Sequence, residues 1–236
     1  MKSMALICLV MAGSGATTLA QGADVPNPAE VFVRDAYVSG TGCPAGSVHL
    51  TLSAGGSQLS TELEEFVAQI GPTIDRLERR KSCNLTVDLH VPAGYAFAVK
   101  RIRQEGWASL DPLVWGTRQV NLRFAGDPLT RSVSFQSDFY GPLYEDLGDD
   151  LSVGVESLLW SRCGAGVPLV LSTTLTVNSQ AEAEGSLAIT RSELAELVFK
   201  KCGADQPAPP PNVPGQKSPA QQSNQQPSNK QQTQQH

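Results

Sequence analysis

The strongest constraint on the fold is a two-residue alternation of apolar and polar side chains between glycine- and proline-rich turns. It is clearest after Cys83, where aliphatic residues alternate with Thr86, Asp88 and His90. Successive side chains of a strand point to opposite faces, so this pattern predicts strands with one buried face. About nine such segments recur at the spacing expected of a β-sandwich. They are residues 31–37, 48–52, 85–91, 95–99, 120–124, 133–135, 152–160, 169–177 and 187–189.

Three local features refine this expectation. The turn Pro92-Ala93-Gly94 predicts a hairpin between the strands on either side of it. Helix-forming residues make 62–70 a candidate helix, and Thr190 with Glu193 forms a capping box ahead of 194–200. The predicted fold class is therefore all-β: a single antiparallel β-sandwich, with a short helix near the C-terminus of the body as the alternative there.

The two ends differ in composition from the body. Residues 1–20 have the layout of a secretory signal peptide, namely Lys2, a short apolar run and small residues at Thr18 and Ala20. Residues 204–236 are rich in Gln, Pro, Ser and Asn, and such a tract is expected to stay disordered because it has little apolar surface to bury. This leaves residues 21–203 as one secreted domain.

Four cysteines remain after the predicted leader. An even number in an exported chain predicts two disulfides. We favour Cys43 with Cys83 and Cys163 with Cys202, which closes two separate loops. The other two pairings stay open at this point, because spacing alone does not fix connectivity.

Charge and hydropathy limit the classes of binding partner that the chain can have. The formal net charge is −5 and the pI about 5.2, which argues against nucleic acid, since its binders show a basic face. No segment after the leader is apolar enough to span a bilayer. We expect a monomer without a cofactor.

Several motifs resemble a known family. They are CPxG at residues 43–46, RRKxC at 79–83, PxGxxF at 92–97 and WSxCG at 160–164, with Cys202 resembling a terminal cysteine. In this order they resemble a family of small secreted cysteine-containing proteins of fungi and bacteria that is catalogued only as a domain of unknown function. The resemblance implies an exported, disulfide-stapled β protein and supplies no catalytic residues.

A metal site is one hypothesis for the histidines. Asp88 and His90 share one face of a predicted strand, and His49 joins them if its strand is a neighbour. Imidazole and carboxylate ligands suit zinc or copper. Polar residues on an outer strand face usually meet only water, so this remains the weaker interpretation.

The sequence weighs against an enzyme more than for one. No GxSxG motif is present and the mature cysteines are expected to be paired, which disfavours nucleophilic catalysis. A carboxylate-dependent hydrolase would use some of Asp88, Asp146, Asp149 and Asp150. We expect Glu145 and the last three of these acids to lie in a solvated loop around Gly148.

Aromatic residues are the weak candidates for ligand binding. Trp107, Trp115 and Tyr95 follow one another around the predicted central hairpin, where aromatic faces can stack on sugars or pack in the core. Asn84 heads an Asn-Leu-Thr glycosylation pattern, which matters only in a eukaryotic secretory path. The basic run 79–81 is expected to flank the disulfide turn.

Compartment and fold class together favour a non-catalytic binding or structural module for cell-wall or surface polysaccharide. The alternatives are the hydrolase above and a protein-binding inhibitor or effector. Neither composition nor motifs identify the ligand.

Overall fold

The protein folds into two antiparallel β-sheets packed face to face. The computed structural model describes residues 26–27, 30–54, 56–126, 131–164 and 167–203. Eleven strands are present there: β1 (Phe32–Ser39), β2 (Val48–Leu52), β3 (Leu59–Leu63), β4 (Val67–Ile70), β5 (Arg80–His90), β6 (Tyr95–Leu110), β7 (Val114–Phe124), β8 (Ser132–Tyr140), β9 (Leu143–Ser152), β10 (Leu169–Ser179) and β11 (Gly185–Lys201). Short 3-10 helices occupy Arg76–Arg79 and Val155–Ser157. The predicted antiparallel β-sandwich is confirmed.

The order of the strands defines two sheets. The first sheet runs β1-β5-β10-β7-β8, and the second runs β2-β3-β11-β6-β9, with β4 pairing with another stretch of β11. Strands β6 and β11 form the longest pairing and extend from Gly185 opposite Leu110 to Lys201 opposite Tyr95. The leader 1–20 and the tail 204–236 lie outside the described residues.

Both predicted disulfides are present. Cys43 is bonded to Cys83 and Cys163 to Cys202, at sequence separations of 40 and 39. In the chain-entropy account, each crosslink of this length stabilises the fold by roughly 2 to 4 kcal/mol. Gly40, with φ of 134°, lets the chain turn into Cys43, and a Cβ there would collide with the carbonyl of Ser82. A larger residue would strain this turn beside the disulfide.

The interior holds two apolar clusters separated by a polar belt. One cluster includes Phe97, Ile102 and Leu122, and the other includes Phe66 and Leu187. The polar belt has one member on most strands: Thr61, Gln104, Asp149 and Ser192 in the second sheet, and Arg118, Ser137 and Thr173 in the first.

Hydrogen bonds within the belt join the two sheets. The Gln104 amide donates to Thr173 Oγ1 at 3.0 Å and to Ser192 Oγ at 3.1 Å. The fully buried Arg118 donates to Ser137 Oγ at 2.8 Å and pairs with Asp149. Because buried polar groups need partners, the belt fixes the position of one sheet against the other.

Four local predictions are wrong. Both candidate helices are strands: 62–70 contributes to β3 and β4, and the Thr190–Glu193 pattern lies inside β11. The expected strand 152–160 is not formed. Ser152 is the last residue of β9, and the residues after it form a short 3-10 helix and coil. The acidic stretch around Gly148 is strand β9, not a loop.

The hairpin across residues 92–94 is also absent, because β5 and β6 lie in different sheets. Strand β5 has both edges occupied, by β1 and β10, while β6 lies between β9 and β11. Alternation predicts a buried face for a strand but not the sheet that the strand joins.

Candidate functional site

The outer face of the first sheet carries uncharged hydrogen-bonding side chains in rows that cross the strands. Alternate residues of β5, β10, β7 and β8 point away from the core, and their positions coincide in the strand register. Two successive rows contain no charged residue. One consists of Ser82, Thr174, Gln119 and Gln136, and the next consists of Asn84, Ser172, Asn121 and Ser134. We call these eight residues the neutral polar rows.

Strand geometry sets the size of this surface. Neighbouring strands lie about 4.8 Å apart, and side chains on one face of a strand repeat every ~6.8 Å. Four strands therefore give rows roughly 14 Å long, which form an open surface rather than a cleft.

Hydrogen bonds within the rows order part of the surface. Asn121 Nδ2 donates to Ser134 Oγ at 2.8 Å, and Gln119 Nε2 donates to Gln136 Oε1 at 3.2 Å. Within the described residues, the side chains of Ser172 and Thr174 have no hydrogen-bond partner. Their hydroxyl groups thus keep donor and acceptor capacity for a ligand.

An aromatic pair lies toward one end of the same face. Trp115 of β7 is opposite Tyr140 of β8 and Asn178 of β10. Tyr140 is 70% exposed and Trp115 is half-buried. Directly opposite side chains on neighbouring strands have Cβ atoms about 5 Å apart, so Trp115 and Tyr140 start from adjacent positions on this face.

The three aromatic residues named from the sequence do not form one cluster. Trp107 lies on β6, on the outer face of the second sheet, opposite Ala188 and Asp146. Tyr95 begins β6 and packs against the apolar core. Only Trp115 shares a face with the neutral polar rows, because β6 and β7 belong to different sheets and direct their outward residues to opposite sides of the molecule. One row, which contains Thr117 and Asp138, lies between Trp115 and the neutral polar rows.

The histidines are also separated. His49 lies on β2 of the second sheet with Nε2 at 3.3 Å from Glu64, whereas Asp88 and His90 lie on β5 of the first. His90 contacts Arg34 and lies against Phe32, with ring centroids 4.6 Å apart and ring planes tilted by 37°. Over the part of the chain that the structure describes, no three His, Cys, Asp or Glu residues are grouped to hold a metal ion.

The four aspartates proposed for hydrolysis occupy different environments. Asp149 points inward to Arg118, while Asp150 points outward and lies within 3.5 Å of Arg101 and Arg103. Asp146 and Asp150 are four residues apart on one face of β9, a separation of about 14 Å along a strand, beyond the roughly 5 to 9.5 Å of glycosidase pairs. Asp88 belongs to the other sheet. The fold does not bring these carboxylates together as a catalytic pair.

The remaining sequence candidates lie close to the neutral polar rows. Asn84 is half-buried in the second row, and its Nδ2 donates to Ser39 O at 3.4 Å. Its glycosylation remains a prediction. In the basic run, Lys81 pairs with Glu78 at 2.8 Å beside the disulfide turn.

Sequence reasoning did not find the neutral polar rows, although part of the signal was present. Residues 172–178 read Ser-Thr-Thr-Leu-Thr-Val-Asn, which places small polar residues at every second position of β10. The alternation identifies an outer polar face, but the rows exist only once the register of four strands is known.

Comparison with known proteins places these observations in context. A solved structure of TmCBM61 in complex with beta-1,4-galactotriose superposes with a TM-score of 0.27 and 13% identity, covering 73% of this chain and 98% of that one. A likeness this low supports no conclusion about fold or function.

A curated relative from Arthroderma benhamiae, "Uncharacterized secreted protein", is 33% identical over 159 residues. The match covers 67% of this chain and 62% of the relative, so the chain spans less than two thirds of that relative's length. Together with the two disulfides, this confirms the prediction that the protein is secreted. None of the helices in the described residues has the length and apolar character needed to cross a membrane.

The family model described as "Domain of unknown function (DUF4360)" matches residues 29–202, which include every strand and both disulfides. The family resemblance drawn from the cysteine motifs is thereby confirmed. The chain belongs to this domain family of unknown function.

Proposed function

We propose that the protein is an extracellular binding module for neutral polysaccharide, and that the neutral polar rows with Trp115 and Tyr140 form its binding surface. The supporting observation is the pair of uncharged rows that cross four strands. Sugar hydroxyls donate and accept hydrogen bonds, and Ser, Thr, Asn and Gln side chains do both without bringing a fixed charge.

The open shape of the surface favours a polymer over a short soluble sugar. Small molecules bind in concave sites that bury most of their surface, whereas this site is the face of a sheet. An extended chain makes up for shallow contacts by making many of them. Trp115 and Tyr140 add an aromatic platform on which the apolar face of a sugar ring packs.

Co-sedimentation of the full secreted chain with insoluble cellulose, chitin and fungal cell-wall glucan tests this proposal. We expect retention on at least one polymer, and we expect it to persist in 0.5 M NaCl, because hydrogen bonds and stacking to an uncharged ligand are screened little by salt.

Three outcomes would count against the proposal. They are failure to bind any polymer, loss of binding in salt, and binding that Thr174→Glu leaves unchanged. Release of soluble sugar from the same tubes would favour the hydrolase alternative instead.

A further inference from the structure

A second site lies beyond one end of the neutral polar rows, beside the Cys163–Cys202 disulfide. A pocket of about 80 Å³ opens there, large enough for several water molecules or a carboxylate group. Its walls are formed by Phe124, Ala125, Gly126, Arg131, Trp160, Arg162 and Val167. We call it the disulfide-end pocket.

The segment that supplies Trp160 and Arg162 is tied to β6. Ser161 N–H donates to Phe97 O at 2.8 Å, and Phe97 N–H donates to Ser161 Oγ at 3.0 Å. Gly164 N–H donates to Tyr95 O at 2.9 Å, and the disulfide joins Cys163 to the end of β11. Residues 160–164 are therefore held in place although they belong to no strand, and they are the WSxCG motif.

Two arginines line the pocket in a protein of net charge −5. The Arg162 side chain is exposed, and within the described residues it has no hydrogen-bond or ion-pair partner. Arg131 also lines the pocket, and the Lys200 ammonium lies 4.2 Å from the Trp160 ring centroid. Cationic groups held around an aromatic wall favour an anionic ligand with an apolar surface.

The pocket borders the last row of the surface proposed for polysaccharide. Arg123 of β7 and Ser132 of β8 are paired in the last row of that face. The pocket residues 124–126 directly follow Arg123, and Arg131 directly precedes Ser132. A chain that crosses the neutral polar rows and passes this last row brings its next substituents to the pocket.

We propose that the disulfide-end pocket binds the carboxylate of an acidic sugar residue within the same polysaccharide, an inference that rests on the proposed function. The guanidinium of Arg162 offers a planar pair of donors that matches a carboxylate. Trp160 packs against the carbon face of the sugar ring. The ligand is thus a polymer that combines neutral sugars with uronic acids.

Affinity electrophoresis of the full chain tests this on a matched pair of polymers: polygalacturonate, and the same polymer fully methyl-esterified. Removing the ester restores the carboxylate without changing the backbone. We expect about tenfold tighter binding to the free acid, the size of one charge-assisted hydrogen bond. We expect Arg162→Gln to abolish this difference and Arg162→Lys to retain part of it.

Arg101→Gln is the matched control, since it removes one positive charge from the outer face of the second sheet. If Arg101→Gln lowers the preference as much as Arg162→Gln does, general charge explains the binding and the pocket assignment fails. Equal binding of the two polymers by the wild-type protein overturns it as well. Dextran sulfate that binds as tightly as polygalacturonate and depends equally on Arg162 overturns the assignment to carboxylate.

The double variant Ser172→Ala/Thr174→Val separates this inference from the proposed function, because it removes hydroxyl groups without changing charge. If both hold, this variant weakens binding of both polymers and keeps the preference for the free acid. Binding of the free acid alone, unaffected by this variant, would leave the pocket valid and refute the neutral surface. If the double variant loses the preference for the free acid and still binds the esterified polymer, the pocket assignment fails and the neutral surface is retained.

Discussion

The two outer faces of the sandwich are both formed by antiparallel strands, but their central residues differ in chemistry. On the first sheet the central rows are uncharged, from Ser82 and Asn84 on β5 to Gln136 and Ser134 on β8. On the second sheet the equivalent surface is a lattice of ion pairs. Arg103 lies between Asp150 at 3.5 Å and Glu193 at 3.7 Å, and Arg191 lies 3.3 Å from Glu62.

The difference indicates which face is available to a ligand. On the second sheet the charged groups already pair with one another, so a neutral sugar there would have to compete with these ion pairs for their donors and acceptors. On the first sheet the hydroxyls of Ser172 and Thr174 have no partner among the described residues. This contrast supports the proposal that the neutral face is the one that recognises a ligand.

The largest expected effect comes from placing a charge on the neutral face. Thr174→Glu should weaken binding to neutral polysaccharide by roughly a hundredfold, because the new carboxylate must lose water without gaining a partner. Ser186→Glu, at an outward position of β11 on the second sheet, is the matched control and should bind like the wild type. Depletion isotherms measure both, and equal losses would remove the distinction between the faces.

The two tryptophans test which outer face binds the ligand, because Trp115 lies on the first sheet and Trp107 on the second. Trp115→Ala should weaken binding by about tenfold through loss of ring stacking, whereas Trp107→Ala should leave it unchanged. Thermal unfolding of each variant checks that the fold survives. Weaker binding by the Trp107 variant alone would move the site to the second sheet.

The ion-pair lattice should contribute to stability rather than to binding. Arg103→Gln is expected to lower the free energy of unfolding by about 0.5 kcal/mol, since the side chain is 43% exposed and water screens its pairs. Urea unfolding in low salt and in 1 M NaCl should show this difference shrinking in high salt. An equal loss at both salt concentrations would contradict an electrostatic origin.

The smallest effect concerns a tyrosine at the edge of the charged face. The hydrogen bond of Tyr144 to Asp111, at 2.7 Å, raises the pKa of Tyr144 above its usual 10.0, with smaller contributions from desolvation and the charge of Asp111. A raised pKa means that the neutral phenol is favoured in the folded state, so this contribution to stability is complete below pH 10.0 and is lost as pH rises through the folded-state pKa.

Asp111→Asn removes the carboxylate and should shift ionisation of Tyr144 to lower pH. Ultraviolet difference absorbance against pH follows this ionisation. Tyr144→Phe identifies the affected phase, and a titration curve that Asp111→Asn leaves unchanged would refute the role of that hydrogen bond.

Local sequence predicted strands well where the alternation was regular and failed where tertiary contacts outweighed it. The capping-box pattern at Thr190 and Glu193 favoured a helix, yet Arg191 pairs with Glu62 and Thr190 Oγ1 donates to Glu105 O at 3.3 Å within the sheet. The acids around Gly148 favoured a loop because their partners are distant in sequence: Asp149 pairs with Arg118, 31 residues away, and Asp150 pairs with Arg101 and Arg103, more than forty residues away. Long-range pairing overrides local propensity in such cases.

The sequence by itself determined the all-β class, the exported compartment, the family and the expectation of two disulfides, because alternation, cysteine number and ordered motifs are properties of the chain. Only the tertiary structure decided which strands are neighbours. The order of the strands places Trp107 and Trp115 on opposite sides of the molecule and separates His49 from His90. It also aligns the polar residues of β5, β10, β7 and β8 into rows. Alternation fixes the face of a side chain, whereas sheet order and register, set by packing of the whole core, fix its neighbours.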